Sequence, residues 1–226
     1  SVALRGSDVV FDRERTDLPN SNTMRIRLLD AQEGVLSERE YYSVGGGFLQ
    51  WDGYVAPERG APVHPYSTMH ELKRVMETKN LRLVELMIDN ERAITGATEE
   101  EIYAKVDHLI TVMERSVEHG LEVEGVLPGP LKYYRKAPGI YRRAKRLAGR
   151  ADHFLLYLCA YAFAVAEENA AGQPVVTSPT CGSAGVMAAT VYFMKHYMKM
   201  EQVKLQDGLM AAAVVGFLAK HNASIA

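Results

Sequence analysis

The sequence predicts an α+β protein: a small β-rich part over residues 1–60, followed by a mainly all-α part over 61–226. Three observations carry this. A period-two alternation of apolar and charged residues lies near the N-terminus, a proline-rich break follows it, and helix-start signals with long apolar runs fill the rest.

The stretch "SNTMRIRLLD" (21–30) sets Met24, Ile26 and Leu28 against Arg25 and Arg27. Successive side chains of a strand point to opposite faces, so this reads as a half-buried strand. "EREYYSVGGGFLQW" (38–51) supplies the aromatic and branched residues that strands favour, around a triple glycine at Gly45, Gly46 and Gly47. That run lacks the Lys-Ser/Thr of a P-loop and the spacing of a dinucleotide fingerprint. It reads as a strand end needing unusual backbone angles or close packing. "PERGAPVHP" (57–65) has three prolines and a glycine, admits neither helix nor inner strand, and is expected to be the connector.

Beyond it, Thr68 with Glu71 and Thr98 with Glu101 have capping-box spacing. The first pair leads into Leu72, Val75 and Met76. The second leads into Ile102, Val106, Leu109, Ile110, Met113 and Val117, with Gly120 placed to stop the helix. Residues 154–168 and 209–218 are apolar on nearly every face, so both are expected inside a helical bundle as buried helices. The apolar run "FLLYLCAYAFAVA" (154–166) is shorter than the roughly 20 residues that cross a bilayer, so no membrane partner is expected.

At 226 residues, 47% hydrophobic and 24% charged, the chain can bury a sizeable core. A formal net charge of -2 argues against general affinity for nucleic acid or anionic lipid, which leaves a small molecule as the expected partner. The two cysteines, Cys159 and Cys181, do not have the spacing of a disulfide framework, and no signal peptide precedes them, so the cytoplasm is expected. Cys159, in an apolar run, is expected to be a buried packing residue.

Three stretches are candidates for chemistry. In "TSPTCGSAGVM" (177–187), Thr180, Cys181, Gly182 and Ser183 fall at the start of a predicted helix, where unpartnered amides and the helix dipole favour a carboxylate or phosphate. The alternative is a helix start whose small residues serve packing. In "EENAAGQP" (167–174), Glu167, Glu168 and Asn169 end a hydrophobic helix where the dipole disfavours acids, so they either have a function or form a solvated helix end. The third stretch follows a Pro-Gly-Pro turn and carries Lys132, Arg135, Lys136, Arg142, Arg143, Lys145 and Arg146, read as a basic surface helix in preference to an RNA-binding patch. His108, His119 and His221 read as surface or packing residues.

The segments "YYSVGGGF", "EGVLPGPLK", "AEENAAGQPVVTSPTCGSAGVM" and "HNASI", in this order across nearly the whole chain, strongly resemble the iron-sulfur L-serine dehydratases. These bacterial enzymes deaminate serine to pyruvate and ammonia without pyridoxal phosphate, and no Ser-x-Lys motif of a pyridoxal enzyme occurs here. The resemblance implies a β-rich domain, of which residues 1–60 are the C-terminal portion and connector. It implies a larger all-helical catalytic domain, of which 61–226 are the N-terminal portion. It also implies a [4Fe-4S] cluster whose open iron acts as a Lewis acid on the hydroxyl.

On this reading "TSPTCGSAGVM" forms the seat for the substrate carboxylate. The substrate-binding residues expected from it are Thr180, Cys181, Gly182, Ser183 and Ala184, with Asn169 and Asn222 as further polar contacts. The catalytic base is not assigned.

The chain also departs from the family pattern. The family's N-terminal Ser-His-Thr segment has no counterpart, and the cluster ligands are expected beyond Ala226, with none in this chain. Other members can carry asparagine at the position of Cys181, so no ligand role is transferred to it. The chain is therefore expected to be an internal fragment, inactive by itself, of an L-serine ammonia-lyase whose substrate is L-serine, and to form a homo-oligomer or pair with a chain carrying the missing region. Two alternatives stay open: a related lyase such as an L-cysteine desulfidase, and a non-catalytic helical scaffold or inactive subunit.

Overall fold

The computed structural model describes residues 8–12, 14, 15, 17–44, 48–147 and 153–223. The triple glycine at 45–47 lies outside them. The chain divides into two units, Ser1–Ala56 and Pro57–Ala226, and the protein is α+β.

The first unit holds an antiparallel sheet of β1 (Thr23–Leu29), β2 (Val35–Ser43) and β3 (Leu49–Trp51), in that order. Register pairs Met24 with Tyr41 and Ile26 with Arg39, and places Arg25 opposite Glu40 and Arg27 opposite Glu38. The alternation read from the sequence becomes two faces, but the expected half-burial does not form: Met24, Ile26 and Leu28 are 53, 51 and 49% exposed, because the apolar face is left largely uncovered among the described residues. One carries Met24, Ile26, Leu28 and Tyr41, with Trp51 packed edge-on to Tyr41 and Tyr54; the other carries cross-strand ion pairs. The β1–β2 turn is held by the Asp30 carboxylate, which accepts from the amides of Gln32 and Gly34 at 2.9 and 2.7 Å.

The second unit is built of α1 (Met69–Lys79), α2 (Leu83–Thr95), α3 (Glu99–Glu122), α4 (Ala137–Arg146), α5 (His153–Ala170), α6 (Ala184–His196) and α7 (Gln202–Asn222). The proline-rich stretch before α1 is docked against α2. His64 is buried, donates its amide to Asn90 Oδ1 at 2.7 Å and accepts from Asn90 Nδ2 at 2.9 Å. Both expected capping boxes form, with Thr68 and Thr98 accepting from the amides of Glu71 and Glu101 at 3.2 Å.

Helix α5 packs on α3, α4 and α6. The main core joins Ile110, Met113 and Val117 of α3 to Tyr161 and Val165 of α5 and Ala188 of α6. A second cluster joins Leu72, Leu86, Val214 and Leu218 of α1, α2 and α7. Each large side chain so buried contributes about 1.5–3 kcal/mol.

Three sequence expectations for the helical unit change. Gly120 does not stop α3, which continues to Glu122; a Cβ at Gly120 would sit 2.5 Å from the Ala164 carbonyl oxygen, so this glycine lets α3 and α5 touch backbone to backbone. Cys159 is exposed, because among the described residues the face of α5 carrying it is left uncovered. On that side Leu155 and Phe163 are exposed as well, and α7 likewise exposes Val215 and Phe217, so neither apolar helix is enclosed all round.

Candidate functional site

The end of the loop between α5 and α6 is organised by the hydroxyls of Thr180 and Ser183. It reaches α6 through a cis Ser178–Pro179 bond. Ser183 Oγ donates to the Ser178 carbonyl at 2.5 Å and lies 2.9 Å from Thr180 Oγ1, while the Ser183 amide donates back to Thr180 Oγ1 at 3.3 Å. The two hydroxyls therefore brace the turn. Ser183 starts the helix without a side-chain cap bond to it.

Thr180, Cys181 and Gly182 are exposed, and Ser183 is half-buried. The amides of Cys181 and Gly182 donate to no group among the described residues, so two consecutive N–H groups stand open in the turn just before Ser183, the N-cap of the 13-residue α6. The two flanking glycines do different work. A Cβ at Gly182 would meet only Thr180 Oγ1, at 3.8 Å, whereas one at Gly185 would lie 2.7 Å from the Ala162 carbonyl oxygen. Gly185 docks α6 on α5, and Gly182 leaves open space. Ala184 is fully buried in the core, so only its backbone borders the loop; its amide donates to the Cys181 carbonyl at 3.3 Å.

Behind the loop, the end of α5 carries a buried acidic pair. Glu167 accepts from the amides of Lys136 and Ala137 at 2.6 and 3.3 Å and so caps α4. Glu168, 2% exposed, accepts from Arg135 Nη1 at 2.5 Å and pairs with His119 Nδ1 at 2.6 Å. The Arg135 side chain is 6% exposed and that of His119 is 55% exposed. The solvated-helix-end reading of Glu167 and Glu168 is thus corrected, because both carboxylates are desolvated and fully paired. His119, set aside above as a surface or packing residue, is part of this cluster. The one sequence signal for it was an acidic pair at the wrong end of a helix dipole; His119 and Glu168 lie 49 positions apart and share no local pattern.

The remaining expected residues are dispersed. Asn169 is half-buried in the last turn of α5, and its side chain makes no hydrogen bond among the described residues. Asn222 donates to the carbonyls of Ser67 and Leu218 at 3.0 and 2.9 Å, tying the end of α7 to the segment before α1. No hydrogen bond joins either asparagine to the Thr180–Ser183 turn among the described residues. Of the basic run, Arg135 is inside, Arg142 pairs with Glu124, and Lys145 lies 4.2 Å over the Tyr141 ring.

A second set of polar contacts holds the far end of α6. Glu114 of α3 accepts from Lys195 Nζ at 2.9 Å and pairs with His196 Nε2 at 2.7 Å, and Tyr192 stacks on His196. Burial pushes the Tyr161 phenol well above its ordinary range and that of Tyr192 up to about 12.

Among the described residues, no group of three or more His, Cys, Asp or Glu side chains is placed to hold a metal ion. Cys159 and Cys181 are both exposed, on α5 and ahead of α6. A [4Fe-4S] cluster is held by about four thiolates, so the residues present do not fit one by themselves. No described helix is long and apolar enough to cross a membrane.

Comparison with known proteins places these features in a family. Residues 78–226 match the family model described as "Serine dehydratase alpha chain", and residues 2–54 match "Serine dehydratase beta chain". The L-serine dehydratase of Haemophilus influenzae is 33% identical over 226 residues, covering 97% of this chain and 49% of that protein. That of Streptomyces coelicolor is 35% identical over 227 residues, covering 96% and 49%. L-serine dehydratase 2 of Escherichia coli is 35% identical over 213 residues, covering 91% and 46%. The chain spans about half the length of these curated relatives. With its alpha-chain match running from the end of α1 through α7, and the β-sheet unit matching the beta chain, the chain belongs to the serine dehydratase family.

Proposed function

We propose that this chain supplies the carboxylate-binding part of an L-serine dehydratase, which eliminates water from L-serine to give pyruvate and ammonia in the cytoplasm. The observation that carries the proposal is the pair of open amides, Cys181 and Gly182, at the start of α6, with free space over Gly182. In the reaction the α-proton leaves to a base and the β-hydroxyl departs as water. The resulting 2-aminoacrylate tautomerises to an imine, and hydrolysis of the imine releases ammonia and pyruvate.

The chain's own contribution is made at the carboxylate. Two N–H donors and the positive end of the helix dipole bind the carboxylate and draw charge from it, which lowers the cost of removing the adjacent proton. The same contacts fix the orientation of Cα and Cβ for the groups that act on them. Thr180 Oγ1, exposed beside the amides, is the side chain best placed to add a contact, while Ser183 shapes the turn.

The proposal includes the [4Fe-4S] cluster that the family resemblance implies, in place of pyridoxal phosphate, on thiolates other than Cys159 and Cys181.

The test is pyruvate formation from L-serine by the complete gene product, with L-cysteine as the competing substrate, and the variant Gly182→Val. Because the added side chain has room, the melting temperature is expected to stay at the parent value while KM for serine rises about tenfold or more. Absence of serine-dependent pyruvate overturns the activity. A fallen melting temperature with an unchanged KM overturns the seat and makes Gly182 a packing residue.

A further inference from the structure

We infer that Glu168 is a positioning residue for the carboxylate seat, acting by locking α5 in place along its own axis; this rests on the reading of the Thr180–Ser183 turn as that seat. Both ends of the connection that carries the seat are referred to α5. Its start is the last turn of α5, where the carbonyl of Glu168 accepts from the amides of Ala171 and Gln173 at 3.1 and 3.0 Å. Its end is the first turn of α6, held by the close approach of Gly185 to the Ala162 carbonyl. The connection that carries the seat is thus tied to α5 at both ends.

The packing of Tyr161 and Val165 places α5 in the core, and directional bonds at the end of the helix add to its axial position. The contacts of Gly120 and Gly185 with Ala164 and Ala162 are made by small, smooth residues, and hydrophobic attraction has no preferred direction along a helix. Directional bonds supply the register, and at this end of α5 they come from the two glutamates. Glu167 receives the α4 amides, and Glu168 places one oxygen on Arg135 and the other on His119, tying α5 to the segment before α4 and to α3 at once. A desolvated ion pair with both oxygens used has one good geometry, and register-setting is the best-attested role of such buried polar groups.

One helical residue is about 1.5 Å of rise, and a displacement of about 1 Å is enough to cost a bound group its alignment. The open amides of Cys181 and Gly182 are the groups exposed to that cost. Glu168 touches no substrate in this scheme and acts only through the loop.

The experiment measures binding of L-alanine, which keeps the carboxylate and amine of serine but has no hydroxyl to lose, to the complete gene product by ligand-observed NMR. The readout is therefore independent of turnover. Each variant is measured well below its own melting temperature, with circular dichroism confirming a folded protein. Glu168→Gln is expected to weaken L-alanine binding about tenfold. Glu168→Asp, which keeps the charge but shortens the reach, should fall between parent and Glu168→Gln.

The rate at which the Cys181 thiol takes up an alkylating reagent, followed by mass spectrometry of the peptide that carries it, is expected to change on Glu168→Gln, reporting the loop without any ligand. Thr180→Ala tests the underlying seat. If Thr180→Ala weakens binding while folded Glu168→Gln leaves both the affinity and the Cys181 reactivity at parent values, Glu168 is merely structural and the inference falls while the seat stands. If neither Thr180→Ala nor Gly182→Val alters binding, the seat itself is wrong. Should Glu168→Gln fail to fold, His119→Ala carries the test by removing only the half-exposed donor; a loss of a few fold supports the inference and an unchanged affinity overturns it.

Discussion

The sheet unit and the helical unit both use arginine–glutamate pairs, and they use them in opposite ways. In the sheet, Arg25 reaches Glu40 and Arg27 reaches Glu38 across neighbouring strands on a solvent-facing surface, with side chains 22–50% exposed. In the bundle, Arg135 and Glu168 are 6% and 2% exposed and join segments 33 positions apart. A surface pair exchanges water for a partner at little net gain, whereas a buried pair has given up its water and depends on the partner. The difference teaches that the same chemistry serves solubility and strand register in one unit and helix placement in the other.

The sharpest way to break this comparison is to remove one arginine from each unit. Arg135→Ala leaves Glu168 buried with only His119 beside it, and the expected loss of stability is about 3–5 kcal/mol, read from the urea midpoint of the helical transition. A loss close to zero would mean that water reaches Glu168 and that the pair is not desolvated.

Next in size is the backbone contact that the buried pair accompanies. Gly120→Val would drive a Cβ to within 2.5–2.9 Å of the Ala164 backbone, atoms that cannot move without shifting α3 or α5. A loss of about 3 kcal/mol is expected by thermal or urea melting. A near-parent melt would show that the two helices are further apart than described.

A smaller and pH-dependent effect comes from the tyrosines packed between α4, α5 and α6. Desolvation raises the Tyr192 phenol from an ordinary value of 10.0 to about 12 and raises Tyr161 as well. The unfolded chain releases these protons at lower pH than the native protein does. Their contribution to stability is therefore fully present below pH 10 and is lost as pH rises from about 10 toward 12. The urea midpoint is expected to fall across that window and to fall less steeply in Tyr192→Phe. An unchanged slope in the variant would show that Tyr192 titrates as if exposed.

The smallest effect belongs to the sheet. Arg25→Ala is expected to leave the melt unchanged within error. Its measurable consequence is at Glu40, whose carboxyl is held below its ordinary value of 4.5, chiefly by the hydrogen bond from Arg25, and should move back up when followed by NMR titration. A clear loss of stability in this variant would erase the contrast between the units.

The legible parts of the fold are those where neighbours in sequence are neighbours in space. Met24, Ile26 and Leu28 alternate with Arg25 and Arg27 because a strand sends successive side chains to opposite faces, and the structure keeps that division. Thr68 with Glu71 and Thr98 with Glu101 close their capping boxes because both partners lie within one turn. The misreadings share one cause. Gly120 looked like a helix stop because a glycine followed an apolar stripe, but its meaning lies in a carbonyl of α5. Cys159 looked buried because its neighbours are apolar, yet it lies on a face of α5 left open among the described residues.

The candidate site divides along the same line. That Thr180, Cys181, Gly182 and Ser183 lead into a helix, with small residues and open amides, follows from composition and turn chemistry over a few residues. That Gly182 is open while Gly185 is a docking point, that Ala184 is buried, and that Glu168 meets Arg135 and His119, are facts about which helices pack on which. Periodicity and caps act through local backbone geometry, which each stretch of sequence carries with it. Whether a glutamate is hydrated or desolvated, and whether a glycine is spacious or tight, depends on what the rest of the chain brings within a few ångströms, and that is set when the helices pack.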